Sequence, residues 1–370
     1  MATNVKLNGH GAPPLAEQVR AWLAESCLTE ADLPGVLNVK RAQRTIELYD
    51  IQHNRIPEGD VVRQFAPTNG FGALVNPQDL PKYIHPPDQP PHLLYPQNTS
   101  YLPQPWSWAQ WAQDPAQRKV FGEGWKKVAA AVKFGIPAVG IEGCWGWRAV
   151  KHGYLMLPEF KDYQLNDCDV YWVPDRDRKP KAVADIARAS SAFALVMQEC
   201  GTRFHVVWLP LLEGCDKVGL DDFLFHYSRG GKDVRAARKA FEDLLASTPV
   251  WKDYELTDLG NSQRFVAMYH PQFRYVGRAW YTYQNGCWVD DVTLKAQEAA
   301  KDMLKGLQQD ALYAGNSERL SYLKAQHASA QRVEQALKLS RSDPSIAAAR
   351  SAFDCNRLWV NCPNGVLAGC

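Results

Sequence analysis

Acidic residues stand directly after two runs of this sequence that are typical of buried β-strands. Glu123 follows the run 119–121. Asp175 and Asp177 follow the run 169–173. Ligands of an open α/β sheet bind outside the carboxyl ends of its strands, so the sequence predicts that these carboxylates lie along one edge. One general acid/base and a carboxylate pair suit phosphoryl chemistry with a divalent metal, because Mg²⁺ is held by one or two carboxylates together with substrate phosphates.

Glu123 lies between two glycines and precedes a lysine pair. Gly122 and Gly124 would let the backbone turn sharply or approach a phosphate. Lys126 and Lys127 open the next predicted helix, where their ammonium groups and the free N–H groups of the first turn favour an anionic ligand. A glutamate that merely favours the helix N-terminus, beside solvated lysines, explains the pattern equally well, so the spacing alone leaves both interpretations open.

Asp175 and Asp177 are separated by one residue, so in an extended loop both carboxylates can point the same way and share a cation. Their mutual repulsion requires a cation or hydrogen-bond donors to offset it. Arg178 and Lys179 follow at once, and they either hold phosphates or screen the aspartates in an ordinary turn. Two aspartates at this spacing are common in loops, so both interpretations stay open.

A third acidic element, Asp221 and Asp222, follows the fourth predicted strand. Its residues could extend the acidic site or cap a helix N-terminus, and the two roles can coexist. Basic residues are concentrated just beyond it, between positions 229 and 239. Helical spacing places Lys232, Arg235 and Lys239 along one face, which is either solvated or in contact with a phosphate backbone.

The elements that would position these residues alternate between strand and helix. Strands are predicted at 119–121, 138–141, 169–173 and 204–209, and helices at 125–134 and 182–200. This alternation predicts βαβ crossovers and a mostly parallel sheet, which is an α/β fold class with flanking helices.

The flanking regions have other patterns. A helix is predicted at 15–24, and prolines between 81 and 105 predict an extended arm packed on the surface. Trp106, Trp108 and Trp111 follow, and such a cluster more often packs a loop onto a core than forms a base-stacking platform. The last third is predicted to be mainly helical, with a hairpin that turns at Asn285-Gly286. Its predicted helices are 259–269, 294–309, 317–339 and 345–353.

Composition restricts the class of protein. The chain has 370 residues, of which 46% are apolar and 22% charged, and a formal net charge of +2. The length suits two or three domains, and the small charge excludes a general polycation, so nucleic acid would be bound by local basic patches. Nine cysteines without a C-x-x-C pair indicate reduced thiols. No signal-like or membrane-spanning apolar run occurs, which predicts a cytoplasmic protein with no membrane partner.

Four motifs stand in the predicted α/β segment. They are Phe121-Gly122-Glu123-Gly124-Trp125-Lys126-Lys127, Gly135-Ile136-Pro137-Ala138-Val139, the Asp175/Asp177 pair, and Val218-Gly219-Leu220-Asp221-Asp222-Phe223-Leu224. Together they resemble the TOPRIM-like domain of unknown function of phage and plasmid replication proteins, over residues 40–230 and best from 118 onward. The resemblance implies that Glu123 acts as an acid/base and that Asp175 and Asp177 bind Mg²⁺ (or Mn²⁺), with Asp221 or Asp222 as a third acidic residue.

A second set of motifs lies in the last third. It comprises Thr257-Asp258-Leu259-Gly260-Asn261-Ser262-Gln263-Arg264-Phe265, the aromatic hairpin through Trp288, and Leu358-Trp359-Val360-Asn361-Cys362-Pro363-Asn364-Gly365. This set is similar to the domain that precedes the ATPase in viral and phage superfamily III primase/helicases. No G-x-x-x-x-G-K-[ST] occurs in the sequence, so this polypeptide is not a helicase by itself, and a separate superfamily III helicase/ATPase is one candidate partner.

The motifs predict four segments. These are an N-terminal Pro/Trp-rich arm (1–117), a TOPRIM-like α/β domain (118–232), a basic helix and linker (233–256), and a helical pre-ATPase domain with a β-hairpin (257–370).

Two classes of function stay open. The first is a Mg²⁺-dependent, primase-like nucleotidyl or phosphoryl transferase of mobile-element replication, which acts on nucleotides and on single-stranded or primed DNA. Lys126, Lys127 and Lys179 would then neutralise phosphate charge. The second is a catalytically inactive module that recruits DNA or a helicase, and a TOPRIM-type nuclease is a third possibility. Converging carboxylates at an open sheet edge favour the enzyme, whereas an edge filled by Trp125 or Trp145 favours the module.

Overall fold

The structure is a computed structural model, and it divides into two compact units, Met1–Trp251 and Lys252–Cys370. It describes residues 15–29, 32, 43–56, 61–64, 83–84, 90–270, 272–284, 287–314, 316–326, 329–353, 359–362 and 365–368. The division between the units falls inside the segment 233–256, which the sequence analysis assigns to a basic helix and linker. The four-segment organisation itself stays a prediction.

The first unit is built around a parallel sheet. Its elements are α1 (Leu15–Ala24), β1 (Gln43–Ile46), β2 (Val61–Gln64), β3 (Tyr83–Ile84), α2 (Trp108–Gln113), β4 (Lys119–Glu123), α3 (Trp125–Lys133), β5 (Val139–Ile141), β6 (Asp169–Val173), β7 (Arg176–Asp177), α4 (Pro180–Glu199), β8 (Arg203–Val206), β9 (Lys217–Val218), α5 (Leu220–Tyr227) and α6 (Val234–Ser247). The sheet has the order β5-β4-β6-β8, and all its pairs are parallel. The predicted α/β fold class is confirmed.

Both faces of this sheet are covered, which explains why its strands are continuous apolar runs. Neighbouring residues of a strand point to opposite faces, and Val120 and Phe121 of β4 are both buried. Val120 packs in a cluster with Phe241 of α6. Phe121 contacts Phe160, whose ring in turn contacts Phe193 of α4. Helix α6, which the sequence analysis places with the linker, therefore belongs to the core of the first unit.

The tryptophans after the proline-rich segment pack inward. Ser107 caps α2 by accepting a hydrogen bond of 3.3 Å from the N–H of Gln110. Trp108 and Trp111 are buried, with ring centroids 5.5 Å apart. Upstream, Leu94 exchanges two backbone hydrogen bonds of 2.8 Å with Gly140 and so extends the sheet beside β5. The structure thus supports the loop-packing interpretation of this cluster.

The second unit combines helices with antiparallel strands. Its elements are α7 (Asp258–Tyr269), β10 (Phe273–Val276), β11 (Ala279–Gln284), β12 (Cys287–Asp290), α8 (Lys295–Tyr313), α9 (Ser317–Gln326), α10 (Ala330–Ser340), β13 (Trp359–Cys362) and β14 (Gly365–Ala368). Strands β10, β11 and β12 form an antiparallel sheet in which Gln284 pairs with Cys287, as the predicted hairpin requires. The turn residues Asn285 and Gly286 lie outside the described residues. Of the described helices, none is both long and apolar enough to cross a membrane.

Two helix predictions in the second unit are wrong. The stretch 317–339 contains two helices, because Ser329 accepts a hydrogen bond of 3.3 Å from the N–H of Arg332 and thereby begins α10. The stretch 345–353 contains only a 3₁₀ turn at Arg350–Ala352. Here the carboxylate of Asp343 accepts hydrogen bonds from the N–H and hydroxyl of Ser345, at 2.9 and 2.5 Å, and such local bonds compete with a helix.

Candidate active site

The carboxyl edge of the parallel sheet brings Glu123 and Asp175 together. Glu123 is the last residue of β4, and Asp175 follows the end of the neighbouring strand β6. The N–H of Asp175 donates a hydrogen bond of 3.1 Å to Oε2 of Glu123. The two residues therefore share one corner of the sheet edge, which is where parallel crossovers place the ends of adjacent strands.

The glycines on either side of Glu123 fix its position in two ways. A Cβ at Gly122 would lie 2.9 Å from Cγ1 of Val128, so glycine lets α3 pack this close to β4. Gly124 has a φ of +94°, in the region that favours glycine, and α3 begins directly after it. The motif therefore sets Glu123 beside the N-terminus of α3.

Two lysines surround the carboxylate of Asp175. Nζ of Lys127, in the first turn of α3, lies 2.5 Å from Oδ1 and 2.6 Å from Oδ2 of Asp175. Nζ of Lys217, in β9, lies 2.6 Å from Oδ2. The side chain of Asp175 is only 2% exposed, so these ion pairs form where water screens charge weakly.

Lys217 is a site residue that the sequence analysis missed. It reaches Asp175 because β7 and β9 pair antiparallel, with Asp177 opposite Lys217. The only sequence signal is local: Lys217-Val218 is a short strand-like pair directly before Gly219 and the third acidic element. Nothing in that pattern names the strand with which it pairs.

Burial and neighbouring charges shift the pKa values of Glu123 and Lys217. Burial, and next the negative charge of Asp175, raise the pKa of the Glu123 carboxyl above its ordinary value. Burial is the largest single influence on Lys217 and acts to lower its pKa. The charge of Asp175, its hydrogen bond and the charges of Glu123 and Asp177 together outweigh burial, so the pKa of Lys217 is raised. Burial and the charge of Glu123 raise the pKa of Cys144 to about 12, which keeps that thiol protonated. The arrangement thus makes the Glu123 carboxyl a weaker acid than an ordinary glutamate and favours a positive charge on Lys217.

Asp177 lies in the β7–β9 ribbon, two residues beyond Asp175. Its Oδ1 accepts a hydrogen bond of 2.7 Å from the N–H of Lys179. The N–H of Arg178 donates to the carbonyl of Asp216 at 2.9 Å, and the side chains of Arg178 and Lys179 are exposed. Asp177 therefore helps to shape the turn, while the two basic side chains face solvent beside the site.

Asp221 and Asp222 have different roles in the structure: one is a buried acidic residue and the other caps a helix. Asp222 accepts a hydrogen bond of 2.8 Å from the N–H of Gly219 and so caps α5. Asp221 is buried; it accepts a hydrogen bond of 2.5 Å from the hydroxyl of Ser26 and lies 3.8 Å from Nζ of Lys126. These polar contacts connect Asp221 to α3 and to the segment just after α1.

Gly219 connects this acidic element to the Glu123–Asp175 corner. A Cβ at Gly219 would lie 2.7 Å from Cε of Lys127 and 2.7 Å from Oδ1 of Asp221. The aliphatic part of Lys127 therefore passes directly over the start of α5 on its way to Asp175. Any larger residue at position 219 would displace Lys127 or Asp221.

Lys126 and Trp125 face α1 instead of the sheet edge. Nζ of Lys126 donates to the carbonyl of Trp22 at 3.1 Å and to Glu25 at 3.2 Å. The Trp125 ring is buried and stacks on that of Trp22, with centroids 6.4 Å apart. Trp125 therefore packs α1 onto α3, and this packing also occupies the neighbouring lysine.

The basic segment around α6 lies on the surface. The side chains of Lys232, Arg235 and Lys239 are exposed. Lys239 forms an ion pair of 2.7 Å with Asp243, one helical turn on. Contact of this face with a phosphate backbone stays a prediction.

The residues at the sheet edge supply only part of the coordination that Mg²⁺ needs. In the described part of the chain, no group of three His, Cys, Asp or Glu side chains is placed to hold a metal ion. Asp175 and the neighbouring Glu123 supply two carboxylates, and both oxygens of Asp175 lie within ion-pair distance of lysines. Mg²⁺ bound by one or two carboxylates needs substrate phosphates to complete its coordination. The donor set therefore fits a cation that arrives with a phosphate-bearing substrate.

Two family models match the chain. Residues 107–230 match the model described as Domain of unknown function (DUF3854), which includes Glu123, Asp175 and Asp221. Residues 262–368 match the model described as D5 N terminal like. These two matches lie over the two sets of motifs in the sequence.

Comparison with individual proteins adds one similar structure. None of the curated proteins compared with the chain matches it. The zinc-binding and RNA polymerase domains of the Aquifex aeolicus primase match with 15% identity and a TM-score of 0.36. The match covers 89% of this chain and 64% of that one, so the chain spans less than two thirds of the primase structure.

Proposed function

We propose that this protein is a primase-like DNA replication protein of a mobile element, and that its first unit transfers nucleotidyl or phosphoryl groups with Mg²⁺. The observation that carries the proposal is the Glu123–Asp175 pair at the carboxyl edge of the parallel sheet, with Lys127 and Lys217 on the aspartate. Phosphoryl transfer depends mainly on positioning and on charge neutralisation, and this corner offers both acids and cations.

Glu123 is the residue suited to move a proton. Its raised pKa brings the carboxyl closer to neutral pH, where a general acid/base is most effective. Its Oε2 is oriented by the N–H of Asp175. In this proposal Glu123 accepts the proton of the attacking hydroxyl and releases it when the product leaves.

Lys127 and Lys217 are suited to bind the phosphates of a nucleotide. Both ammonium groups already contact one carboxylate, and a substrate phosphate offers them a second anionic partner. With both lysines on the phosphate, Asp175 and Asp177 would be the residues that hold Mg²⁺ (or Mn²⁺). The Mg²⁺ (or Mn²⁺) so bound would neutralise charge on the phosphoryl oxygens.

A non-catalytic module is the second candidate, and a specific observation favours it. Both oxygens of Asp175 are paired with lysines, an arrangement that can hold the fold together without any metal. In that case the first unit would serve to recruit single-stranded or primed DNA, or a separate superfamily III helicase/ATPase.

Primer synthesis tests the proposal. The full chain is incubated with single-stranded DNA, labelled nucleotides and Mg²⁺, and products are resolved on a gel. We expect labelled oligomers that need Mg²⁺ and that disappear with Glu123→Gln. Glu242→Gln on α6, whose carboxylate pairs with Arg118, is the matched control and should retain them. Template binding without Mg²⁺-dependent product would favour the recruiting module, and Mg²⁺-dependent shortening of the template would favour a nuclease.

A further inference from the structure

One face of the antiparallel sheet in the second unit carries a row of aromatic residues. Successive residues of a strand alternate between the faces of a sheet, so Tyr281 and Tyr283 of β11 share a face. Their cross-strand partners on that face are Arg274 of β10, opposite Tyr281, and Trp288 of β12, opposite Tyr283. Trp280 and Thr282 alternate with the two tyrosines along β11 and therefore point to the other face.

The rings of this face are contiguous. The centroids of Tyr283 and Trp288 are 5.1 Å apart, and Phe353 lies 6.2 Å from Trp288 and 5.5 Å from Tyr281. We call these four residues the aromatic face. Tyr283 is 49% exposed and the other three are half-buried, whereas Phe273 and Thr282 of the same sheet are buried in the core.

Arginines accompany the aromatic face. The guanidinium of Arg274 lies 4.7 Å from the ring centroid of Trp288, a cation–π contact. Arg350 lines a cleft of about 1190 Å³ together with Tyr281 and Asp290. Asp290 is the acidic member of this surface, and the hydroxyl of Tyr281 donates a hydrogen bond to it.

We propose that the aromatic face binds single-stranded nucleic acid. Bases stack on aromatic rings whatever their identity, and arginines nearby bind phosphate or stack in turn, which is the combination found on single-strand platforms. Half of Tyr283 is exposed, whereas Phe273 of the same sheet is buried, so this ring is accessible to a base. The inference rests on the second unit alone and does not depend on catalysis by the first.

Binding of a fluorescently labelled oligothymidylate to the full chain, followed by anisotropy, tests the proposal. We expect Tyr283→Ala to weaken binding by about 5-fold or more, the lower end of the effect of losing one base–aromatic stack. Tyr283→Phe keeps the ring and should bind like the parent. Leu312→Ala, at a position on α8 that is 59% exposed, is the control for a neutral surface change. Thermal melts of each variant establish that it is folded.

Photo-cross-linking locates the contact. An oligonucleotide with 5-iododeoxyuridine is irradiated with the full chain, and cross-linked peptides are mapped by mass spectrometry. Cross-links at Tyr283 or Trp288 are the expected result. Unchanged affinity of Tyr283→Ala, or cross-links confined to other regions, would overturn the proposal. Because the mapping identifies residues, the outcome is independent of primer synthesis.

Discussion

Replacing Asp175 by asparagine is expected to destabilise the first unit. From the sequence, neighbouring acidic residues suggest that removing a charge relieves repulsion. The structure reverses this expectation, because Lys127 and Lys217 both pair with the buried carboxylate. Removing one partner of a buried ion pair costs about 3–5 kcal/mol. The Lys217 side chain is 53% exposed and can regain water, so its pair contributes only about 0–1 kcal/mol. We therefore expect a decrease in stability of about 3 kcal/mol, mainly through Lys127.

Urea and thermal unfolding, followed by circular dichroism, measure this decrease. A change of about 3 kcal/mol lowers the Tm of a unit of this size by roughly 6–12 °C. Asp169→Asn is the matched control: it makes the same substitution in β6, where the side chains of Arg203 and Asp169 are 47% and 38% exposed. The asparagine oxygen can keep the contact of 3.2 Å with Nε2 of His205. The cost of this substitution should be at most about 1 kcal/mol. A variant Asp175→Asn as stable as the parent, or more stable, would refute the reasoning and show that repulsion by Glu123 outweighs both lysines.

Three further perturbations test other parts of the account. Glu123→Gln should stabilise the first unit at neutral pH but not near pH 4. Because the pKa of Glu123 is raised in the folded parent, the folded protein binds more protons than the unfolded chain. The stability of the parent therefore falls as the pH rises above 4.5, the ordinary pKa of this carboxyl. Urea melts across this range check it, and a pH-independent difference would contradict it. Gly219→Ala should cost about 1–3 kcal/mol, because its Cβ would lie 2.7 Å from Cε of Lys127; an unchanged Tm would count against the close approach. Changing Lys232, Arg235 and Lys239 together to alanine should flatten the salt dependence of DNA binding by roughly 0.7–0.9 log units per tenfold salt for each phosphate that these side chains neutralise. Equal slopes would assign this face to solvent.

The position of the acidic pair could be predicted from the sequence, but its surroundings could not. Short apolar runs that alternate with helices define a parallel sheet, and its topology alone places Glu123 and Asp175 at the same edge. Lys217 reaches Asp175 only through the β7–β9 ribbon, a non-local pairing without a periodic signal. Lys126 and Lys127 look like one phosphate-binding pair in the sequence. Because adjacent residues of a helix point about 100° apart, one contacts α1 and the other Asp175.

Helix ends in the second unit could not be predicted from the sequence either. Apolar periodicity continues across Ser329, and it does not reveal that this hydroxyl begins a new helix. At Asp343, a side-chain hydrogen bond to Ser345 replaces the helix that the following alanines favour, and the chain then pairs as a bridge between Ala347 and Tyr275. In both places a single polar side chain decides the local structure.

Cation binding measured with and without a nucleotide shows whether Asp175 binds a metal once substrate phosphates engage its lysines. Electron paramagnetic resonance of Mn²⁺ reports the free ion as the protein is titrated, in the absence and presence of a non-hydrolysable nucleoside triphosphate. We predict that the protein alone binds Mn²⁺ weakly. The mixture of protein and nucleotide should bind Mn²⁺ clearly more tightly than the nucleotide does by itself. This gain should vanish in Asp175→Asn and persist in Asp169→Asn. If the nucleotide leaves Mn²⁺ binding by the protein unchanged, or if the gain in Mn²⁺ affinity persists in Asp175→Asn, then Asp175 does not bind the metal in this way.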